Sequence, residues 1–149
     1  MPCSIGRSGV VDDKREGDGG TPAGAFDLEF GLWRPDRRRA PRGMLPSRAI
    51  RSADGWSDDP ADPAYNLPVK RPHSHRHERL WRADGCYDLI VPFTANRPPA
   101  VSPGRGSALF LHVWRRPRHP TEGCVAFRAA DLDWILTRWT RRSRLIISR

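Results

Sequence analysis

The sequence predicts a mainly β domain that carries one clear helix near its C-terminus, and three observations predict it. From Ser107 to Trp114 the residues alternate: Ala108, Phe110, His112 and Trp114 fall on one face, Leu109, Leu111 and Val113 on the other, the period of an extended strand. Ala25 to Phe30 alternates in the same way and groups Phe26, Leu28 and Phe30. Near the end, Leu132, Ile135, Leu136 and Trp139 recur at i, i+3, i+4 and i+7, the stripe of a helix that buries one side.

Taken in order, Cys3 to Gly6 and then Val10-Val11 read as a short strand broken by glycines and turning back as a hairpin, followed by a polar loop from Asp12 to Gly20. Thr21-Pro22-Ala23-Gly24 leads into the strand that holds Phe26, Leu28 and Phe30. From about residue 31 to 85 no period holds and Arg, Asp and Pro dominate. This stretch is expected to be a long irregular insertion with short strands, its Trp33, Trp56 and Trp81 filling the core rather than stacking on a ligand. Cys86 to Phe93 reads as a strand in which Pro92, lacking an amide hydrogen, suits only an edge or a bulge. Asn96 to Arg105 is loop. Asp131 and Asp133 favour the first turn of the C-terminal helix, and Arg138, Arg141 and Arg142 its last, through the helix dipole. Leu145-Ile146-Ile147 returns as a short strand.

A chain of 149 residues accommodates one ordinary domain, taken as residues 1–149. The 15 prolines and 13 glycines imply long loops. Lys and Arg number 26 against 17 Asp and Glu, a formal charge of +9, so anionic partners are favoured: nucleic acid, anionic glycan or carboxylate-rich peptide. For nucleic acid the arginines are scattered instead of aligned on one helix. No apolar run is long enough to span a bilayer, and Met1 to Gly9 lacks the apolar core of a secretory signal. Three cysteines far apart, Cys3, Cys86 and Cys124, make neither a disulfide framework nor a zinc site.

A thiol acts as a nucleophile when a base or cation stands beside it and the backbone presents it. Gly123-Cys124 offers such a turn, with the two amides as candidate oxyanion donors and a helix following shortly after. His112, on the best strand, is the candidate base, twelve positions upstream. The bland alternative is a small buried cysteine and a structural histidine. His73, His75 and His77 alternate and would align as metal ligands on a strand, but no Cys or carboxylate follows at metal spacing. Asp58, Asp59 and Asp62 lack an EF-hand pattern. No metal and no cofactor is assigned, and His77 is placed instead along the cleft.

Leu111-His112-Val113 followed by Thr121-Glu122-Gly123-Cys124-Val125 resembles the signature of YkuD-type L,D-transpeptidases, a histidine and then Ser/Thr-His-Gly-Cys. Thr21-Pro22-Ala23-Gly24-Ala25-Phe26 is similar to that family's Thr-Pro-x-Gly-x-Phe hairpin and stands at the right distance ahead. Gly55 to Pro60, Glu78 to Trp81 and Gly104 to Ser107 extend the resemblance over nearly the whole chain. It implies a β-sandwich-like catalytic domain with Cys124 as nucleophile, His112 as base and the Val113 carbonyl orienting the imidazole. The implied partners are peptidoglycan stem peptides, with no nucleic acid, in the periplasm or cell envelope. The implied reaction attacks the bond before a terminal D-alanine, with an amine resolving the thioester, or water in a carboxypeptidase; an idle, binding-only member is the further alternative. Glu122 stands where most members have histidine, and Ala126 where many have arginine. Thr121 and Glu122 are expected to touch substrate, and Arg128, Arg115 or Arg116 to replace the missing arginine as a carboxylate clamp.

Overall fold

The computed structural model describes residues 1–149. In chain order the strands are β1 (Cys3–Ser4), β2 (Val10–Val11), β3 (Thr21–Pro22), β4 (Gly24–Phe26), β5 (Gly31–Trp33), β6 (Ser47–Ala49), β7 (Asp54–Ser57), β8 (Pro68–Lys70), β9 (His77–Arg79), β10 (Leu89–Pro92), β11 (Phe110–Val113), β12 (Val125–Phe127) and, after helix α1 (Ala129–Arg138), β13 (Leu145–Ile147). Six of them form the central sheet in the order β1-β12-β11-β10-β5-β6. The β11–β12 and β5–β6 pairs are parallel and the other contacts in this sheet antiparallel. A separate antiparallel sheet runs β8-β7-β9, and β13-β4 and β2-β3 make two small ribbons.

Alternation along the strands gives the central sheet two different faces. Leu89, Val91, Leu109, Leu111, Val125 and Phe127 point to one, where α1 lays Leu132 and Leu136. Ile90, Ala108 and Phe110 point to the other and meet Leu32, Trp56, Leu80 and Tyr87. Trp56 packs edge-on against Phe110 with ring centroids 4.9 Å apart. Each fully buried Leu, Ile or Phe stabilises the fold by roughly 1.5–3 kcal/mol of removed apolar surface.

The structure is mainly β with a single helix near the C-terminus, as the periodicity predicts, and the two faces of β11 divide as expected. Other elements differ. β1 and β2 form no hairpin: β1 pairs with β12, and β2 runs parallel to β3. The strand expected over residues 25–30 is interrupted at Asp27, whose amide donates to Thr94 Oγ1 (3.0 Å), while the Glu29 amide donates to the Pro92 carbonyl (3.0 Å). The chain thereby crosses from β4 to β5, so Phe26 and Leu28 enter the helix-side core and Phe30 packs on the opposite one. Pro92 lies in an interior strand, at its last position, where the next amide, that of Phe93, continues the ladder to Leu109 (3.3 Å). α1 ends at Arg138, leaving Arg141 and Arg142 in the turn beyond it, and Asp133 binds Arg38 (2.5 Å). Within residues 31–85, β5 and β6 extend the central sheet and β7, β8 and β9 form their own. Trp56 is fully buried, and Trp33 and Trp81 are partly buried against the two cores.

Candidate active site

The parallel pairing of β11 with β12 sets Leu111 beside Val125 and His112 beside Ala126. Cys124 lies two residues before Ala126 and shares its face, so thiol and imidazole emerge on the same side of neighbouring strands. Gly123 makes this possible. Its φ is +137°, and a Cβ there would lie 2.8 Å from the Gly20 carbonyl oxygen, so only glycine fits without strain. Thr121 ties the turn together: its Oγ1 donates to the Cys124 carbonyl (2.7 Å) and accepts the Gly123 amide (3.1 Å). The chain's start holds Thr121 in turn, its amide donating to Ile5 O (2.9 Å) and its carbonyl accepting from Arg7 N (2.8 Å).

Cys124 and His112 line one cleft of about 240 Å³ together with Glu78, Arg82, Tyr87 and Arg115. His112 Nδ1 lies 2.8 Å from the Val113 carbonyl, which makes Nδ1 the protonated nitrogen and leaves the Nε2 lone pair available. Ser4 Oγ is the one sealed side-chain polar atom without a partner, so the unbonded Nε2 opens to the cleft. Burial lowers the His112 pKa, against the opposing effect of the Val113 carbonyl. The Cys124 thiol is pushed up to about 12, first by burial and then by the charge of Glu78. Its Sγ donates to the Ala108 carbonyl (3.2 Å) and accepts from the Phe110 amide (3.4 Å). The resting pair is therefore a neutral thiol and a neutral imidazole.

A second layer surrounds this pair. The Tyr87 ring stands edge-on to His112 with centroids 5.7 Å apart, and its hydroxyl donates to Glu78 Oε2. Burial raises the Glu78 pKa, partly opposed by that hydrogen bond. Arg82 lies over the other side of Tyr87 at 4.7 Å, and both Arg82 and Arg115 reach Asp84, at 2.5 and 3.0 Å. The cleft thus holds a thiol, a base and two guanidinium groups, which suits acyl transfer on a carboxylate-bearing substrate.

Comparison with protein families matches residues 1–147 to the L,D-transpeptidase catalytic domain, YkuD. The chain belongs to that family. No curated protein and no solved structure matches it. In this YkuD domain the structure brings together Cys124, His112, the Val113 carbonyl, Thr121 and Glu122 from the sequence reading, and Arg115 among the three proposed clamps. Others fall elsewhere. The Gly123 amide is taken by Thr121 Oγ1 and is not a free oxyanion donor, whereas the Cys124 amide donates to no protein group. The exposed Glu122 side chain, also at the rim of the cleft, pairs with Arg7 at 2.9 Å. Arg128 turns to Asp131 (3.0 Å), away from the cleft, and Arg116, though not a lining residue, turns to His119 (3.4 Å), which lines it.

His77 does not line the cleft: it bonds the His75 carbonyl (2.8 Å) and accepts from Arg71 (3.2 Å). Its neighbour Glu78 lines the cleft instead, because successive side chains of β9 point to opposite faces. Glu78, Tyr87 and Arg82 are the residues that sequence reading missed; period-two alternation through β9 was the available signal for the first. His73 and His75 converge on buried Asp62, at 2.6 and 3.7 Å, and this contact ties the loop after β7 to the one before β9.

Proposed function

We propose that this L,D-transpeptidase-family domain is a cysteine-dependent acyltransferase acting on peptidoglycan stem peptides in the cell envelope. The observation that carries the reading is the opening of the Cys124 thiol and the His112 Nε2 into one cleft that Arg82 and Arg115 also line. His112, its Nδ1 hydrogen engaged by Val113, takes the thiol proton at Nε2 as Sγ leaves Ala108 and attacks the carbonyl carbon ahead of the terminal D-alanine. The imidazolium then gives its proton to the departing D-alanine amine. The Cys124 amide faces the developing oxyanion. With the arginine position of the family motif filled by buried Ala126, Arg82 and Arg115 hold the substrate carboxylate as two-pronged donors. An amine on a second stem then resolves the thioester.

The test is incubation of wild-type protein and Cys124→Ala with disaccharide-tetrapeptide, followed by mass spectrometry. The expected result is a covalent adduct, loss of D-alanine and cross-linked dimers from wild type, and none of these from the variant. Tripeptide without dimer identifies water as the acceptor and a carboxypeptidase. No adduct and no turnover would leave a binding-only domain.

A further inference from the structure

Cys124 borders two cavities. The second, about 380 Å³, lies beyond the first and shares with it Glu78, Glu122 and Cys124. Its walls differ in charge from the rest of the molecule. Glu16, Asp58, Glu78 and Glu122 line it against a single cation, Arg76, in a chain whose formal charge is +9. Two of these carboxylates are already engaged by cations, Asp58 by Arg76 (3.0 Å) and Glu122 by Arg7 (2.9 Å). Glu16 accepts hydrogen bonds from Tyr65 and from Ser107 (2.7 Å). Glu16 and Glu78 pair with no cation, and of the two only Glu78 also lines the first cavity; it bonds through Oε2 to the Tyr87 hydroxyl. Its Oε1 accepts nothing, and since Ser4 Oγ is the one sealed polar atom without a partner, Oε1 reaches open space in the cavities that Glu78 lines.

Resting on the transpeptidase reading above, we propose that this acidic cavity receives the amine acceptor and that Glu78 is the base that takes its proton. The acceptor is a primary amine, cationic before reaction, and an acidic pocket in a basic protein concentrates such a group. In the resolving step the ammonium first gives one proton through Glu78 to solvent, and the freed nitrogen lone pair attacks the thioester carbon. An N–C bond forms, the C–S bond breaks, an N–H proton passes to Glu78 Oε1, and that proton is returned to the departing Cys124 sulfur to restore the thiol.

Charge confines Glu78 to this second step. While the sulfur is free, an ionised Glu78 opposes the thiolate, and burial together with that charge raises the thiol pKa. In the acyl-enzyme no thiolate can form, so an ionised Glu78 opposes nothing on the sulfur until it leaves. His112 and Glu78 thus divide the two half-reactions, and no histidine at position 122 is needed.

The test is a time course of intact-protein mass spectra with disaccharide-tetrapeptide as donor and acceptor, for wild type, Glu78→Gln and Tyr87→Phe. In Glu78→Gln the Cys124 adduct forms within about threefold of the wild-type rate, and its resolution slows about a hundredfold, the scale of a lost general base, so the acyl-enzyme accumulates. Tyr87→Phe keeps the ring against His112 and removes the hydroxyl that lowers the Glu78 pKa. Its resolution rate needs a higher pH than wild type to reach its plateau. Wild-type resolution in Glu78→Gln, or equal slowing of both steps, would overturn this inference and leave the transpeptidase reading standing. A wild-type protein that forms no adduct would overturn both.

Discussion

The two faces of the central sheet are built from the same strands and serve opposite purposes. On the helix side, Leu89, Leu109, Leu111, Val125 and Leu132 meet with no polar group among them. On the other side Ile90, Ala108 and Phe110 share their layer with Tyr87, Trp56 and two cysteines, and the buried polar groups Asn66, Asp54 and His112 stand there too. Asn66 shows how that second face is kept in order: its Oδ1 accepts from Trp56 Nε1 (2.9 Å) and from the Ala108 amide (3.0 Å), and its Nδ2 donates to the Asn96 carbonyl (2.6 Å). A buried polar group left without such partners costs about 1–3 kcal/mol. One face is thus apolar and forgiving of nothing but volume; the other is held by directed bonds, which leave single atoms such as Nε2 of His112 free for chemistry.

Substitutions on each face sharpen this contrast. Cys124→Ala should abolish turnover, by about a thousandfold or more, and leave the urea midpoint close to wild type. Leu111→Ala, one strand position from His112 but on the helix side, should reverse that pattern. It loses roughly 3 kcal/mol of stability in urea unfolding and keeps its activity per folded molecule. The ion pairs of the directed face should appear in acid. Burial alone would raise the Asp54 pKa, yet hydrogen bonds from Lys70 and Arg48 bring it down to about 2. A carboxyl depressed in the folded state stabilises above its unfolded pKa and loses that contribution as pH falls through the folded one. Stability should therefore drop by about 2 kcal/mol between roughly pH 4 and pH 2, a drop that Asp54→Asn lacks, as urea midpoints across that range would record. The smallest effect belongs to Arg128→Ala, which removes an exposed pair with Asp131. A stability change below about 0.5 kcal/mol and an unchanged KM are expected, against the clamp role that the sequence suggested.

Elements with enough length to show a period were legible in the sequence: β11 with its two faces, and α1 with Leu132 and Leu136 turned inward. β11 lies within the alternating run from Ser107 to Trp114, whereas the strands between residues 31 and 85 are flanked by sequence that carries no period. Their positions depend on partners far away in sequence. The same limit governs the site. Cys124, His112 and Val113 lie on segments joined by direct strand pairing and could be read together. Glu78 and Arg82 reach the cleft only because the three-stranded sheet folds against the central one, and no local spacing records that contact. Arg128 lies outside the cleft for the converse reason, since proximity in sequence to Cys124 carried it to the N-cap of α1.

The bracing of Thr121 by Ile5 and Arg7, and of β12 by β1, has a temporal meaning. A ribosome delivers residues 3 to 7 first and the Thr121–Phe127 segment more than a hundred residues later, so this pairing closes one of the longest loops in the chain. Such non-local pairings are slow to form. During synthesis the strand that will flank Cys124 has nothing to bind, and the pocket is assembled among the last parts of the molecule. Until then Cys124 is an ordinary thiol on an unfolded tether, remote from His112, and the two meet only in the completed fold.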